Sequence, residues 1–266
     1  MLREDRRMPL REHLNELRIM LIRSAIVLVV LLCVGIYFDG PLLRFVCEPW
    51  TKTRHALTPP LGPRDPGPLT FLGPGEGMMA SLRVSFLASV AFGAPYFLWE
   101  LWHFIGVGLK AKERRAIRMV VIPGVILFLI GLWFGFEVLL PLGLPALVNY
   151  LPADIAVSTV TLTNYLELVI TITLIMGGVF ELPLVMWAIV RAGLISRKTM
   201  ASSRRVVVMG LAVFAALITP TTDAVNMLLV FVPMLGLFEL GLLACFLAER
   251  SRARALAREL DPPPAS

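Results

Sequence analysis

Apolar residues fill long runs along this chain, and the charged residues fall in short clusters between them. The first run, Ile19 to Phe38, is interrupted only by Arg23 and Ser24 and holds 20 residues. As a helix rising about 1.5 Å per residue it would cross the roughly 30 Å hydrocarbon core of a bilayer. Further apolar segments cover 77–105, 117–140, 162–190, 206–218 and 224–247, so the pattern predicts six spans. Residues 39 to 75 are rich in proline and glycine (Pro59-Pro60, Gly62-Pro63, Pro66-Gly67-Pro68, Gly73-Pro74-Gly75), which predicts ordered turns or irregular loop outside the membrane. A cleaved leader is the rival reading of the first run. That run exceeds a typical signal-peptide core, and Tyr37-Phe38-Asp39-Gly40-Pro41 offers no small-x-small cleavage site, so a permanent helix is expected.

Composition supports the same class. Of the 266 residues, 57% are hydrophobic and 17% charged, with a mean hydropathy of +0.78, values that do not fit a water-soluble surface. The excess of 25 basic over 19 acidic residues could suggest nucleic acid. The basic clusters instead flank apolar segments without interleaved aromatics, which excludes nucleic acid as the expected partner and points to the lipid bilayer.

The basic clusters also orient the chain, because Lys and Arg in short loops stay on the cytoplasmic side. They comprise Arg3, Arg6, Arg7, Arg11, Arg18 and Arg23; Lys110, Lys112, Arg114, Arg115 and Arg118; Arg191, Arg197, Lys198, Arg204 and Arg205; and Arg250, Arg252, Arg254 and Arg258. The opposite loops hold only Arg44, Lys52, Arg54 and Arg64. Both termini are therefore expected in the cytoplasm, as an even span count requires, with 1–247 forming one membrane domain and 248–266 a cytoplasmic tail. The fifth and sixth apolar stretches look short: 206–218 would reach about 20 Å, and the sixth meets Glu239 early. Their turn, Thr219-Pro220-Thr221-Thr222-Asp223, is expected to sit deep.

Enzyme chemistry finds no foothold. There is no GxxxxGK[ST], HExxH or GxSxG, and His13, His55 and His103 are scattered, as are Cys33, Cys47 and Cys245. No metal or other cofactor is implied. The ionisable residues within spans are Arg83, Glu100, Glu137, Glu167, Glu181 and Glu239. Arg83, Glu100, Glu137 and Glu239 lie near the membrane faces, where snorkelling is the simple expectation, and Glu167 suits the start of its helix. Glu181, mid-span and followed by Pro183, has no such escape and is expected to face a polar cavity or a charged neighbour. Pro95, Pro123, Pro183 and Pro233 predict bent helices and a concave wall. Glu16 and Glu113 stand among arginines just inside the membrane; composition alone would make them surface salt-bridge partners, while their common location offers them as acceptors for an incoming cation.

Several stretches carry a resemblance: His13-Leu14-Asn15-Glu16-Leu17-Arg18, Ser89-Val90-Ala91-Phe92-Gly93-Ala94-Pro95-Tyr96, Trp102-His103-Phe104-Ile105-Gly106-Val107-Gly108-Leu109, Glu113-Arg114-Arg115, Phe180-Glu181-Leu182-Pro183, Thr219-Pro220-Thr221-Thr222-Asp223, and Pro233 with Leu237-Phe238-Glu239-Leu240-Gly241. In this order, from about residue 9 to 247, the chain resembles the TatC family, the multispanning receptor of the twin-arginine protein translocase. The resemblance implies an all-α, cup-shaped bundle of six transmembrane helices with short fifth and sixth helices. It implies a protein of the bacterial cytoplasmic membrane that binds twin-arginine signal peptides of folded cargo and works with single-span TatA- and TatB-type partners in a homo-oligomeric complex, driven by the proton-motive force. Glu16 and Glu113 fall at the family's signal-binding carboxylates, with Arg18, Phe104, Leu109 and Arg114 in the same patch. Pro49 matches an outer-loop proline, Glu181 the buried glutamate of the fourth helix and Asp223 the acid of the last outer turn; Thr219, Asn226 and Met227 fall in the partner-binding region. Met227 replaces a frequent glutamine, and Glu100 and Glu137 stand where many relatives carry glutamine or an apolar residue. The alternative is a proton-coupled small-solute secondary transporter using Glu181, which would normally show paired broken helices in two related halves; no such pairing is visible. A membrane enzyme ranks third.

Overall fold

The computed structural model describes residues 10–57, 67–107, 111–148, 160–191, 195, 197–219 and 224–260. These are almost entirely helical: α1 (Leu10–Tyr37), α2 (Asp39–Val46), α3 (Glu48–Leu57), α4 (Glu76–Val107), α5 (Ala111–Phe134), a π-helical turn (Gly135–Leu139), α6 (Leu140–Val148), α7 (Leu162–Phe180), α8 (Leu182–Arg191), α9 (Arg197–Ser202), α10 (Arg204–Ile218) and α11 (Ala224–Leu260).

Among the described residues, five segments are long and apolar enough to cross a membrane: Arg11–Tyr37, Glu76–Phe104, Val120–Pro145, Leu162–Arg191 and Met227–Leu247. The segment expected at 206–218 is helical but belongs to the 15-residue α10, shorter than the roughly 20 residues a span needs. Their outward surface is what lipid demands. Leu21, Ile22, Ile26, Val29, Val30 and Val34 of α1 are all exposed, an arrangement unfavourable in water and neutral against acyl chains.

Where lipid surrounds helices, close packing rather than apolar burial holds them together, and small residues permit it. A β-carbon on Gly35 of α1 would lie 2.9 Å from Cβ and 3.1 Å from Cα of Ser85 on α4. Gly131 and Gly135, four residues apart, approach the α7 backbone in the same way, the second with its missing β-carbon 3.0 Å from Thr173 Cα. Gly241 brings α11 onto α8 beside Met186 and Pro183. One core, containing Val84, Phe136, Leu140, Tyr165 and Leu166, lies under α2 and α3; a second joins Met176, Val179, Ala215, Val230 and Met234.

The loop expected over 39–75 is partly helical. Residues 39–57 form α2 and α3, because the proline-glycine richness begins only at Pro59 and Pro49 sits in the first turn of α3, where a missing N–H costs nothing. The two helices cap one end of the bundle. Tyr165 Oη donates to the Val46 carbonyl at 2.8 Å, and Trp50 meets the Tyr165 ring edge-on at 5.9 Å between centroids. Beyond the cap, Thr70 bridges the strand-like Thr161 in parallel, with Thr70 N donating to Val160 O and Leu162 N to Thr70 O. Glu76 accepts from Leu72 N at 2.6 Å and from both Thr163 N and Thr163 Oγ1.

Two further differences concern helix ends. The 162–190 segment is broken at Glu181 into α7 and α8, beside Pro183, which has no N–H to donate, whereas Pro95, Pro123 and Pro233 lie inside uninterrupted helices. α11 passes residue 247 and runs to Leu260, because Ala, Leu, Arg and Glu of 248–260 are strong helix formers.

Candidate functional site

At the Leu10 end of α1, His13 stacks on Phe104 near the end of α4, with ring centroids 4.5 Å apart and planes at 19°. Glu16, three residues beyond His13, lies one helical turn along the same side of α1. The contact therefore brings the turn that carries Glu16 to the end of α4. Glu16 and Phe104 are half-buried and Arg18 is exposed. Glu113 and Arg114 occupy the first turn of α5, with side chains outside the described residues, as is Leu109 altogether.

Sequence reasoning assigned no partners to the charged groups within spans, and the structure supplies them between helices. Glu100, buried on α4, accepts from Tyr96 Oη at 2.8 Å and lies 3.9 Å from Arg23 Nη1 of α1. Arg83 donates to the Thr163 carbonyl at 3.0 Å and lies 3.8 Å from Glu167. Arg204 of α10 pairs with Glu239 of α11. Snorkelling alone thus does not describe Arg83, Glu100 or Glu239. Each cationic partner stands on a different helix, which periodicity along one helix cannot reveal. Glu137 lies in the π turn beside a cavity of about 460 Å³ lined by Val84, Phe92, Trp133, Phe136 and Thr173.

Glu181 occupies the junction of α7 and α8 and is buried. Neither carboxylate oxygen has a hydrogen-bond partner among the described residues. Its carboxylate sits over Gly124 of α5, where a β-carbon would come within 3.3 Å of Oε2. The backbone there is occupied: Leu184 and Val185 both donate to the Glu181 carbonyl. Among the described residues the side chain therefore meets neither the polar cavity nor the charged neighbour expected of it, and both oxygens are shut off from solvent.

Pro49 is fully buried under the cap. Thr219 closes α10, its hydroxyl donating to the Ala215 carbonyl at 3.0 Å, and it lines a small cavity with Leu140, Leu144, Ile172 and Leu229. Met227 is half-buried against the core of Met176 and Met234. Asp223 lies outside the described residues, and so does the side chain of Asn226. No group of three or more His, Cys, Asp or Glu able to hold a metal occurs among the described residues. Cys47, beside the cap, is a free thiol whose pKa burial pushes up.

Known proteins give this arrangement a context. Residues 12–233 match the family model of the Sec-independent protein translocase protein (TatC). The Sec-independent protein translocase protein TatC of Deinococcus radiodurans is 30% identical over 233 residues, covering 88% of this chain and 84% of the relative. A chloroplastic TATC of Arabidopsis thaliana is 32% identical over 235 residues, 88% of this chain and 65% of the relative. A crystal structure of the twin-arginine translocase receptor TatC superposes with a TM-score of 0.74 at 26% identity, covering 89% of this chain and 99% of that one. With most of its length matched in sequence and in fold, this membrane chain belongs to the TatC family of protein translocase subunits, which are not enzymes.

Proposed function

We propose that this protein is the receptor and core subunit of a twin-arginine translocase in a bacterial cytoplasmic membrane. In this reading it binds the signal peptides of folded proteins and starts their transport at the expense of the proton-motive force. The chain crosses six times with both termini in the cytoplasm, α10 being the short fifth span, and the bundle forms a cup. The basic clusters support that orientation: the starts of α1 and α5, the stretch from the end of α8 to the start of α10, and the end of α11 carry them, whereas the cap of α2 and α3 lies on the sparsely charged side.

The observation that carries the receptor reading is the stacking of His13 on Phe104. It gathers Glu16 and Phe104, two members of the expected patch, at the face where a cytosolic peptide would arrive. Glu16 and Glu113 read the two arginines. A carboxylate accepts two parallel bonds from the planar guanidinium fork, whereas a lysine ammonium is a point charge. Arg18, Arg114 and Leu109 frame the patch, and the nearby cations make fork geometry, not net field, the source of specificity.

Partners of the TatA and TatB type dock along Thr219, Asn226 and Met227, and copies of the chain assemble into the receptor complex. Asp223 and Pro49 shape the outer turns, and Glu181 supports transport within the membrane. The outward apolar faces of α10 and α11, with Leu217 and Leu228 exposed, suit close helix packing in lipid.

Affinity for a twin-arginine signal peptide tests the reading. Truncating one carboxylate of a desolvated pair costs about 2 to 5 kcal/mol, so Glu16→Ala or Glu113→Ala is expected to weaken binding roughly 30-fold to a few thousand-fold. A loss under about fivefold that vanishes in high salt, the behaviour of exposed bridges, overturns it.

A further inference from the structure

We infer that Glu100 is a third carboxylate of the peptide-binding surface, and that Arg23 holds it as an internal stand-in until a guanidinium of the peptide replaces it. The inference rests on the receptor reading above and adds two residues to it.

The seam between α1 and α4 carries two contacts. His13 stacks on Phe104 at its end, and Arg23 reaches Glu100 further in. Glu100 stands four residues before Phe104 on α4, and Arg23 seven after Glu16 on α1, so each helix places its pair of residues on one side. Seven residues of α1 rise about 10 Å. Two neighbouring arginines on flexible stems can cover that span.

The two partners are unequally committed. Only 12% of the Glu100 side chain is exposed, against 62% of Arg23. A carboxylate has about four acceptor sites, and Tyr96 Oη fills one of them at 2.8 Å. Arg23 Nη1, at 3.9 Å, is too far to make a hydrogen bond. Arg23 therefore supplies charge to Glu100 without the fork that a guanidinium can offer. A buried acid in that state favours exchange of its loosely held, exposed cation for one that binds it directly. The route is open, because Arg23 already reaches the carboxylate from the exposed side of α1.

A structural clamp between α1 and α4 is the competing explanation, and the two differ in sign. With the full-length protein in lipid nanodiscs, binding of a synthetic signal peptide with two consecutive arginines is compared with that of its Lys-Lys counterpart. Glu100→Gln keeps an acceptor for Tyr96 and removes the charge; it should weaken Arg-Arg binding by about tenfold or more. Arg23→Gln should tighten it by about two- to fivefold, the worth of an exposed ion pair. The double variant should bind like Glu100→Gln alone, because Arg23 acts only through Glu100. Arg23→Gln that binds no better than wild type, or Glu100→Gln that binds as well, overturns the inference. If Glu16→Ala still costs affinity in that case, the receptor reading stands without it; a wild-type protein indifferent to Arg-Arg against Lys-Lys overturns both.

Discussion

Gly131 of α5 faces the Met176 carbonyl of α7 with no room for a side chain, since a β-carbon there would lie 2.5 Å from the oxygen. Gly131→Ala must push the two helices apart, and overpacking of this kind costs about 1–3 kcal/mol. Gly178→Ala, where a β-carbon meets nothing within 4 Å, should leave stability unchanged or slightly raise it. Thermal unfolding in detergent of the two variants checks the contrast; equal melting temperatures would refute the close approach.

Glu181 is expected to matter more for transport than for folding. Its carboxylate is buried without a hydrogen-bond partner among the described residues, so Glu181→Ala also removes a desolvation cost. Both Glu181→Ala and Glu181→Gln should insert and keep near wild-type melting temperatures while cargo export falls. Export at the wild-type rate in both would make the residue a passive polar group.

The latch between α4 and α7 gives a local stability prediction. Thr163→Val removes one bond to Glu76 and should loosen residues 67–75 by about 1–2 kcal/mol, seen as faster amide exchange at Leu72. Arg83→Gln, which loses the Thr163 carbonyl contact and the Glu167 pair, should add to it. Unchanged exchange in both would mean that the Thr70–Thr161 bridge holds the loop alone.

Thiol labelling tests the orientation. Leu72→Cys should label from outside intact cells and Ser202→Cys should not, both sites being exposed. Reaction at Ser202→Cys from outside would invert the topology. Native Cys47 should label slowly on the outer side, because the thiolate is the reacting species and burial raises its pKa. Its rate should therefore keep climbing to higher pH than that of Leu72→Cys.

The readable and unreadable parts of this fold divide on physical grounds. Runs such as Ile19 to Phe38 announce spans because lipid demands them residue by residue, whereas four prolines within spans carried the same signal and only Pro183 of the four stands beside a break. The pairing of Arg23 with Glu100 depends on which helix lies beside which, and no local pattern encodes that. The helices over 39–57 were hidden because one proline-rich stretch beginning at Pro59 coloured the whole loop. Within the candidate site, Phe104 could be singled out only by resemblance, and Glu16 only by its place just inside the membrane. Composition made Glu16 one more acid among arginines, and the contact that gathers the two comes from His13, a residue with no distinguishing signal of its own.

The π turn at Gly135–Leu139 also fixes the arithmetic of its helix. A π turn carries one residue more than the α-helical path, and each residue rotates the chain by about 100°. Leu140 and Leu144, both buried against Tyr165 and Leu166, keep to the face that packs inward because the wider turn absorbs that extra residue. Deleting a single residue within 135–139 would let the turn close to the α-helical path with both leucines still facing inward, whereas a deletion in the regular helix before it would turn them by about 100° toward lipid. The turn is thus a slack of one residue, a place in this helix where a change of length is taken up without rotating what lies beyond it.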